Sequence, residues 1–215
     1  MAMTVADLQL SLAQRLGETS APNDSNEKAR RLAYLNEAYR SVLRKNYWWF
    51  TEKVFAFSSV ASQASYTTAD GFPSDFRKML EVRYDGKLIT PVTQPDAFSD
   101  YDDGYTSHSE GYFIFAGAFY PAPVFSASGT NNITGKYYYN PAKLNLDADL
   151  VAIPDIFTDV LVAYAYARMA LKRGKRGSSA DGFDEWKEIL KDMQVEQNNY
   201  LFGLQQQAST EALYE

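Results

Sequence analysis

Apolar residues at Val5, Leu8, Leu12 and Leu16 recur at helical spacing, and Thr4 with Asp7 three residues on has the form of a capping box. Together they predict a first helix over residues 4–16, stopped by Gly17 and followed by a loop containing Pro22. A second helix begins at Asp24, with Glu27 as its cap partner. It carries Ala29, Leu32, Ala33, Leu35, Tyr39, Val42 and Leu43 on one wide apolar stripe. Arg30, Arg31, Glu37, Arg40, Arg44 and Lys45 fall mostly on its other side. At 1.5 Å per residue this helix would be roughly 35 Å long. It ends in a block of rings, Tyr47, Trp48, Trp49 and Phe50, after which the apolar period changes from 3.6 to two.

Strands are predicted over residues 54–57, 65–67, 80–84, 87–90, 111–115, 118–120 and 133–139. Asp85-Gly86 is the strongest hairpin signal, and Ala116-Gly117 marks a second tight turn. The turn Phe72-Pro73-Ser74-Asp75-Phe76 is expected to open a brief helical turn through Met79, and residues 96–101 a second one. Residues 100–110 read as an exposed acidic loop. Several short strands joined by tight turns predict a small antiparallel sheet or sandwich.

Helical spacing returns after Ile153-Pro154-Asp155, where proline suits a helix start. Ile156, Phe157, Val160, Leu161, Tyr164, Ala165 and Ala167 make the next helix nearly all apolar, hence central, with Gly174 and Gly177 ending it. Ser179 or Asp181 caps a last helix that runs to about Leu204, and residues 205–215 read as a polar tail. The predicted class is therefore α+β: a four-helix bundle from N- and C-terminal helices with a large antiparallel β insertion. Its boundaries are residues 1–50 for the first helices, 51–150 for the insertion, 151–204 for the last helices and 205–215 for the tail.

Composition narrows the chemistry. Net charge is −6, which disfavours a general grip on nucleic-acid phosphates. There is no cysteine, so disulfides and thiol chemistry are excluded, in keeping with a reducing cytosol. The start, MAMTVADLQL, lacks the features of a signal peptide, and the longest apolar run, residues 160–167, is far short of the roughly 20 a membrane helix needs. A soluble, unprocessed chain with no membrane contact is expected. His108 is the single histidine and sits in the acidic loop, so neither a triad nor a zinc site is expected. Asp100, Asp102 and Asp103 suggest calcium, but Gly104 comes one position too early for an EF-hand loop. No nucleotide cradle and no marked carboxylate pair occur. The chain reads as a non-enzyme with no catalytic, cofactor-binding or metal-binding residue.

What remains is surface. Sixteen tyrosines suit either protein–protein contact or ordinary packing. Trp48 and Trp49 are core rings or interface anchors, and Tyr137, Tyr138 and Tyr139 place rings on both faces of one strand. Lys172, Arg173, Lys175 and Arg176 either complement the negative end of their helix or meet an acidic partner or passing DNA. With Tyr214 in the tail, these ten form the candidate interface.

Asn36-Glu37-Ala38-Tyr39-Arg40 leads into Tyr47-Trp48-Trp49-Phe50. The Phe72-Pro73-Ser74-Asp75-Phe76 turn follows, then Ile153-Pro154-Asp155-Ile156-Phe157 opening a helix with Ala163-Tyr164-Ala165-Tyr166-Ala167-Arg168. This pattern, over roughly residues 29–199, resembles the head-to-tail adaptor (connector) proteins of tailed bacteriophages. The size of the β insertion is closer to the podophage type. The resemblance implies a structural virion protein in the phage neck, assembled in the host cytoplasm as a twelve-membered ring beneath the portal protein. The ring would extend the DNA channel, without specific DNA binding, and meet tail nozzle or tail fibre proteins, with the polar C-terminal tail reaching along the portal. Alternatives are another tail-completion or nozzle component, or a carbohydrate-active or carbohydrate-binding module built on the insertion.

Overall fold

A computed structural model describes residues 3–92, 106–107 and 111–211 of the chain. The turn expected over residues 96–101, the Asp100–Gly104 calcium-like run, His108 and Tyr214 lie outside the described residues. The chain divides into two compact units, Met1–Phe50 with Ala142–Glu215, and Thr51–Pro141.

The first unit holds four α-helices, α1 (Val5–Arg15), α2 (Ser25–Lys45), α3 (Asp159–Lys172) and α4 (Arg176–Glu211). Thr4 and Asp7 close the expected capping box on α1. Asp24 caps α2 by accepting from the Asn26 and Glu27 amides, but the Glu27 carboxylate turns instead to Arg30 and Arg31. α3 is the hub against which the other three helices pack, and α4 leans chiefly on it. Half of its buried side chains are alanines, Ala163, Ala165, Ala167 and Ala170. Small residues let α4 come close: a Cβ on Gly182 would lie 3.0 Å from the Ala167 methyl and 3.2 Å from the Ala163 carbonyl oxygen. The last helix therefore begins at Arg176 and passes through Gly177 and Gly182, earlier than a cap at Ser179 or Asp181 would place it. Residues 205–211, expected as tail, continue the helix.

Polar pins fix the chain that returns from the insertion. Asn36, buried on α2, donates to the Leu144 carbonyl at 2.9 Å and accepts from the Leu144 amide at 3.0 Å. One turn on, the Tyr39 hydroxyl accepts from the Ala152 amide at 3.3 Å. Between them Glu37 faces α3, accepting from the Tyr164 hydroxyl at 2.9 Å and pairing with Arg168 at 3.0 Å. Three successive features of the Asn36–Arg40 landmark are thus contacts with chain more than a hundred residues away.

The second unit is a six-stranded sheet in the order β1-β8-β2-β3-β5-β6, with a separate pair β4-β7. The strands are β1 (Glu52–Ser59), β2 (Phe76–Tyr84), β3 (Lys87–Pro91), β4 (Thr106–Ser107), β5 (Gly111–Phe115), β6 (Ala118–Ala122), β7 (Val124–Phe125) and β8 (Gly129–Tyr139). Both predicted hairpins, β2-β3 and β5-β6, form. Two expectations are corrected. The six-stranded sheet is mixed, because β3 runs parallel to β5, and the separate β4-β7 pair is parallel as well. The helical turn expected through Met79 is strand: Phe76 pairs with Tyr139 and Met79 with Tyr137, so ladder hydrogen bonds to β8 override the turn signal. The local turn comes earlier, as a 3-10 helix at Thr68–Asp70 capped by Thr67.

One side of this sheet buries a core of rings: Phe55, Phe57, Tyr66, Phe72, Tyr84, Tyr112, Phe119, Phe125 and Tyr137, with Val82, Ile89 and Ile133. Buried tyrosines need a partner for the hydroxyl. Tyr66 finds one in Val60, donating to its carbonyl at 3.1 Å and accepting from its amide at 2.9 Å.

Candidate interaction surfaces

The aromatic block after α2 splits into an inside and an outside. Trp48 is fully buried and its indole donates to the Val42 carbonyl at 2.8 Å. Its ring stacks on Phe50 at 5.9 Å and meets Trp49 edge-on at 6.2 Å. Trp49 is half-buried, set edge-on to Phe157, and its amide donates to the buried Gln197 side chain of α4 at 2.8 Å. Trp48 is thus a core ring that locks the end of α2, and its burial withdraws it from any partner. Trp49 keeps part of its surface.

Strand β8 divides its three tyrosines in the same way. Tyr137 and Tyr138 are each 4% exposed, while Tyr139 is half-buried. Around Tyr137 the sheet unit collects a compact polar cluster. The Tyr137 hydroxyl donates to Asp75 at 2.7 Å, Lys53 pairs with the same carboxylate at 2.7 Å, and the Lys53 ammonium lies 3.9 Å from the centre of the Tyr139 ring. Partial burial pushes the Asp75 carboxyl up, but the hydrogen bonds from Lys53 and Tyr137 outweigh it and hold the group below the usual carboxylate range. Burial, then the bond to Asp75, push the Tyr137 hydroxyl the other way, up. The cluster joins β1, β8 and the turn before β2, which is what the Phe72–Phe76 landmark does here.

The helical unit carries the charged surface. Arg31, only 2% exposed, is held by Glu27 at 3.0 Å and Glu18 at 2.7 Å, and Arg173 approaches Glu18 to 3.8 Å. This network ties the loop before α2 to the end of α3. Beside it Arg30, Tyr34, Met169, Lys172 and Arg173 enclose a cavity of about 190 Å³. Farther along the same α2–α3 seam, Glu37, Arg40, Ser41, Arg44, Lys45 and Tyr164 line an open groove of about 400 Å³. Lys172 and Arg173 lie at the negative end of α3, where the helix dipole favours cations. Lys175 and Arg176 do not share that explanation, because they stand at the positive end of α4. Sequence reasoning singled out the 172–176 cluster but not Arg40, Arg44 and Lys45. Their place on the polar side of α2 was the available signal; that they line a groove against α3 was not visible.

The family model for the SU10 adaptor protein matches residues 3–208. The chain belongs to the SU10 adaptor family. It is therefore a phage adaptor, as the resemblance of its landmarks to head-to-tail adaptors implies. Among curated proteins, none matches it. For this adaptor, surfaces rather than a reaction centre are the parts to explain. Among the described residues no group of three or more His, Cys, Asp or Glu could hold a metal, and no helix is long and apolar enough to cross a membrane.

Proposed function

We propose that this SU10 adaptor forms a closed ring of copies, twelve in number, seated between the portal and the tail of the virion. The observation that carries the reading is the family match over nearly the whole chain. In this reading the ring extends the DNA channel, and its far side receives nozzle or fibre proteins. Assembly takes place in the host cytoplasm. The net charge of −6 suits a conduit, since strong phosphate contacts would retard DNA in transit. A ring needs two different faces on every subunit, and Trp49, Tyr139, Lys172, Arg173, Lys175 and Arg176 are the exposed or half-exposed candidates for them. Negative-stain images of the purified chain mixed with portal protein test the reading. A co-complex with ring symmetry is expected; a chain that stays solitary beside the portal overturns it.

A further inference from the structure

We infer that the cationic groove between α2 and α3 receives the acidic flank of α4 from a second copy of this chain. The inference rests on the ring proposed above and names the two faces that meet in it.

The groove is a surplus of positive charge. Arg40, Arg44 and Lys45 line it, and Lys172, Lys175 and Arg176 continue the charge at the other end of the α2–α3 seam, where Arg173 reaches Glu27; all six are exposed and have no carboxylate partner among the described residues. Their neighbours differ: Arg30 and Arg31 pair with Glu27, and Arg168 with Glu37. The opposite surplus lies on α4. Asp181, Glu188, Asp192 and Glu196 are exposed at spacings of seven, four and four, which places them along one flank of a helix. None has a cationic partner among the described residues, whereas Asp184 pairs with Lys187 and Glu185 with Arg15.

The two surpluses cannot neutralise each other within one chain. The buried row of α4 runs through Gly182, Leu190 and Met193. On one side of that row Phe183 meets Tyr164, whose hydroxyl bonds to α2. On the other side Glu185 reaches Arg15 of α1. At 100° per residue the acidic row falls on the Glu185 side, away from the α2–α3 groove. Each subunit therefore presents a basic face and a different, matching acidic face, the arrangement that closes into a ring by head-to-tail contact. Double-stranded DNA would use the groove alone and leave the row on α4 unmatched, so a second copy fits both observations and DNA only one.

The test uses rings assembled on portal from an equal mixture of isotope-labelled and unlabelled chain, treated with a carbodiimide, which joins lysine amines to carboxylates in contact. Mass spectrometry is expected to find mixed-label peptides joining Lys45, Lys172 or Lys175 to the acidic row of α4. Reversing Arg44 and Lys45 to Glu should raise the Kd between copies by about tenfold, and adding Glu188→Lys with Asp192→Lys should restore it. Rings that form normally with no such cross-link, or with unchanged affinity after reversal, overturn the pairing and leave the proposed function standing. Groove reversal that abolishes binding of a DNA fragment but leaves ring assembly intact overturns it in favour of DNA. Failure of the unaltered chain to join portal overturns the proposed function, and this pairing with it.

Discussion

The two units are held together by different means. In the sheet unit, rings dominate: Phe57 alone has ring contacts with Phe55, Tyr66, Phe72 and Phe119 at 5.3–6.4 Å. A charged side-chain cluster sits around Asp75. In the helical unit the interior is mostly aliphatic, with Tyr39 and Trp48 as its buried rings, and polar groups are taken inside as pins: Asn36, Arg31, Gln9 and Gln197 are all at most 2% exposed. A sheet has a backbone ladder to fix register, so its side chains need only fill space. Helices lack such a ladder between them and can slide or rotate, so buried directional bonds set their relation. The unit with the more exact internal positioning is also the one that sets out charge in ordered rows.

The largest effect expected from breaking that contrast is at Trp48. Trp48→Ala should lower stability by about 3–5 kcal/mol, because it empties a fully buried ring site and orphans the Val42 carbonyl. Trp49→Ala, with part of its ring already in solvent, should cost less than half as much. Urea melts of both variants check this; equal losses would mean that the block acts as one unit and is not divided into inside and outside. Next comes Arg31→Ala, expected at about 3 kcal/mol because it empties a buried site and takes from Glu18 its nearest cation, leaving Arg30 on Glu27 and the more distant Arg173. Arg31→Met should be milder, as it refills the volume.

The sheet counterpart is Gly135→Ala. A Cβ there would run into the Glu81 carbonyl oxygen and lie 2.8 Å from the Phe55 ring, so β1, β8 and β2 would have to part. A loss of about 2 kcal/mol, with a far-ultraviolet spectrum that still reports strand, is the expected result of a denaturant titration.

These positions also show what could be read from the chain before its structure. The Thr4–Asp7 box and the Asp85-Gly86 hairpin are local, and local chemistry was enough to find them. The apolar run around Val160 announced a central helix, and α3 is the hub. Gly182 was not legible, because a glycine that permits close helix approach looks in sequence like one that ends a helix. The parallel pairing of Thr90 with Gly111 was also hidden, since it joins strands about twenty residues apart and a parallel pair leaves no tight-hairpin signature in the sequence. For the surfaces, residue type was visible and burial was not. Trp48 and Trp49 are identical neighbours in sequence, and only the end geometry of α2 sends one inward. Tyr66, Tyr84, Tyr112 and Tyr137 similarly turned out to be core residues, so tyrosine enrichment alone did not mark an interface.

The smallest effect sharpens the comparison at the sheet's polar cluster. Tyr137→Phe removes one hydrogen bond to a carboxylate that keeps Lys53, and should cost about 1 kcal/mol at neutral pH. Acid adds a sign to this. The Asp75 carboxyl binds a proton less readily folded than unfolded, so its contribution is fully present above the unfolded value of about 4 and fades as pH falls through the lower folded value. The difference in melting temperature between the native chain and Asp75→Asn should therefore be widest above about pH 5 and narrow below about pH 4. A gap that stays constant from pH 7 to about pH 3 would show that Asp75 serves as a neutral acceptor, and that its pairing with Lys53 adds nothing to the stability of the sheet unit.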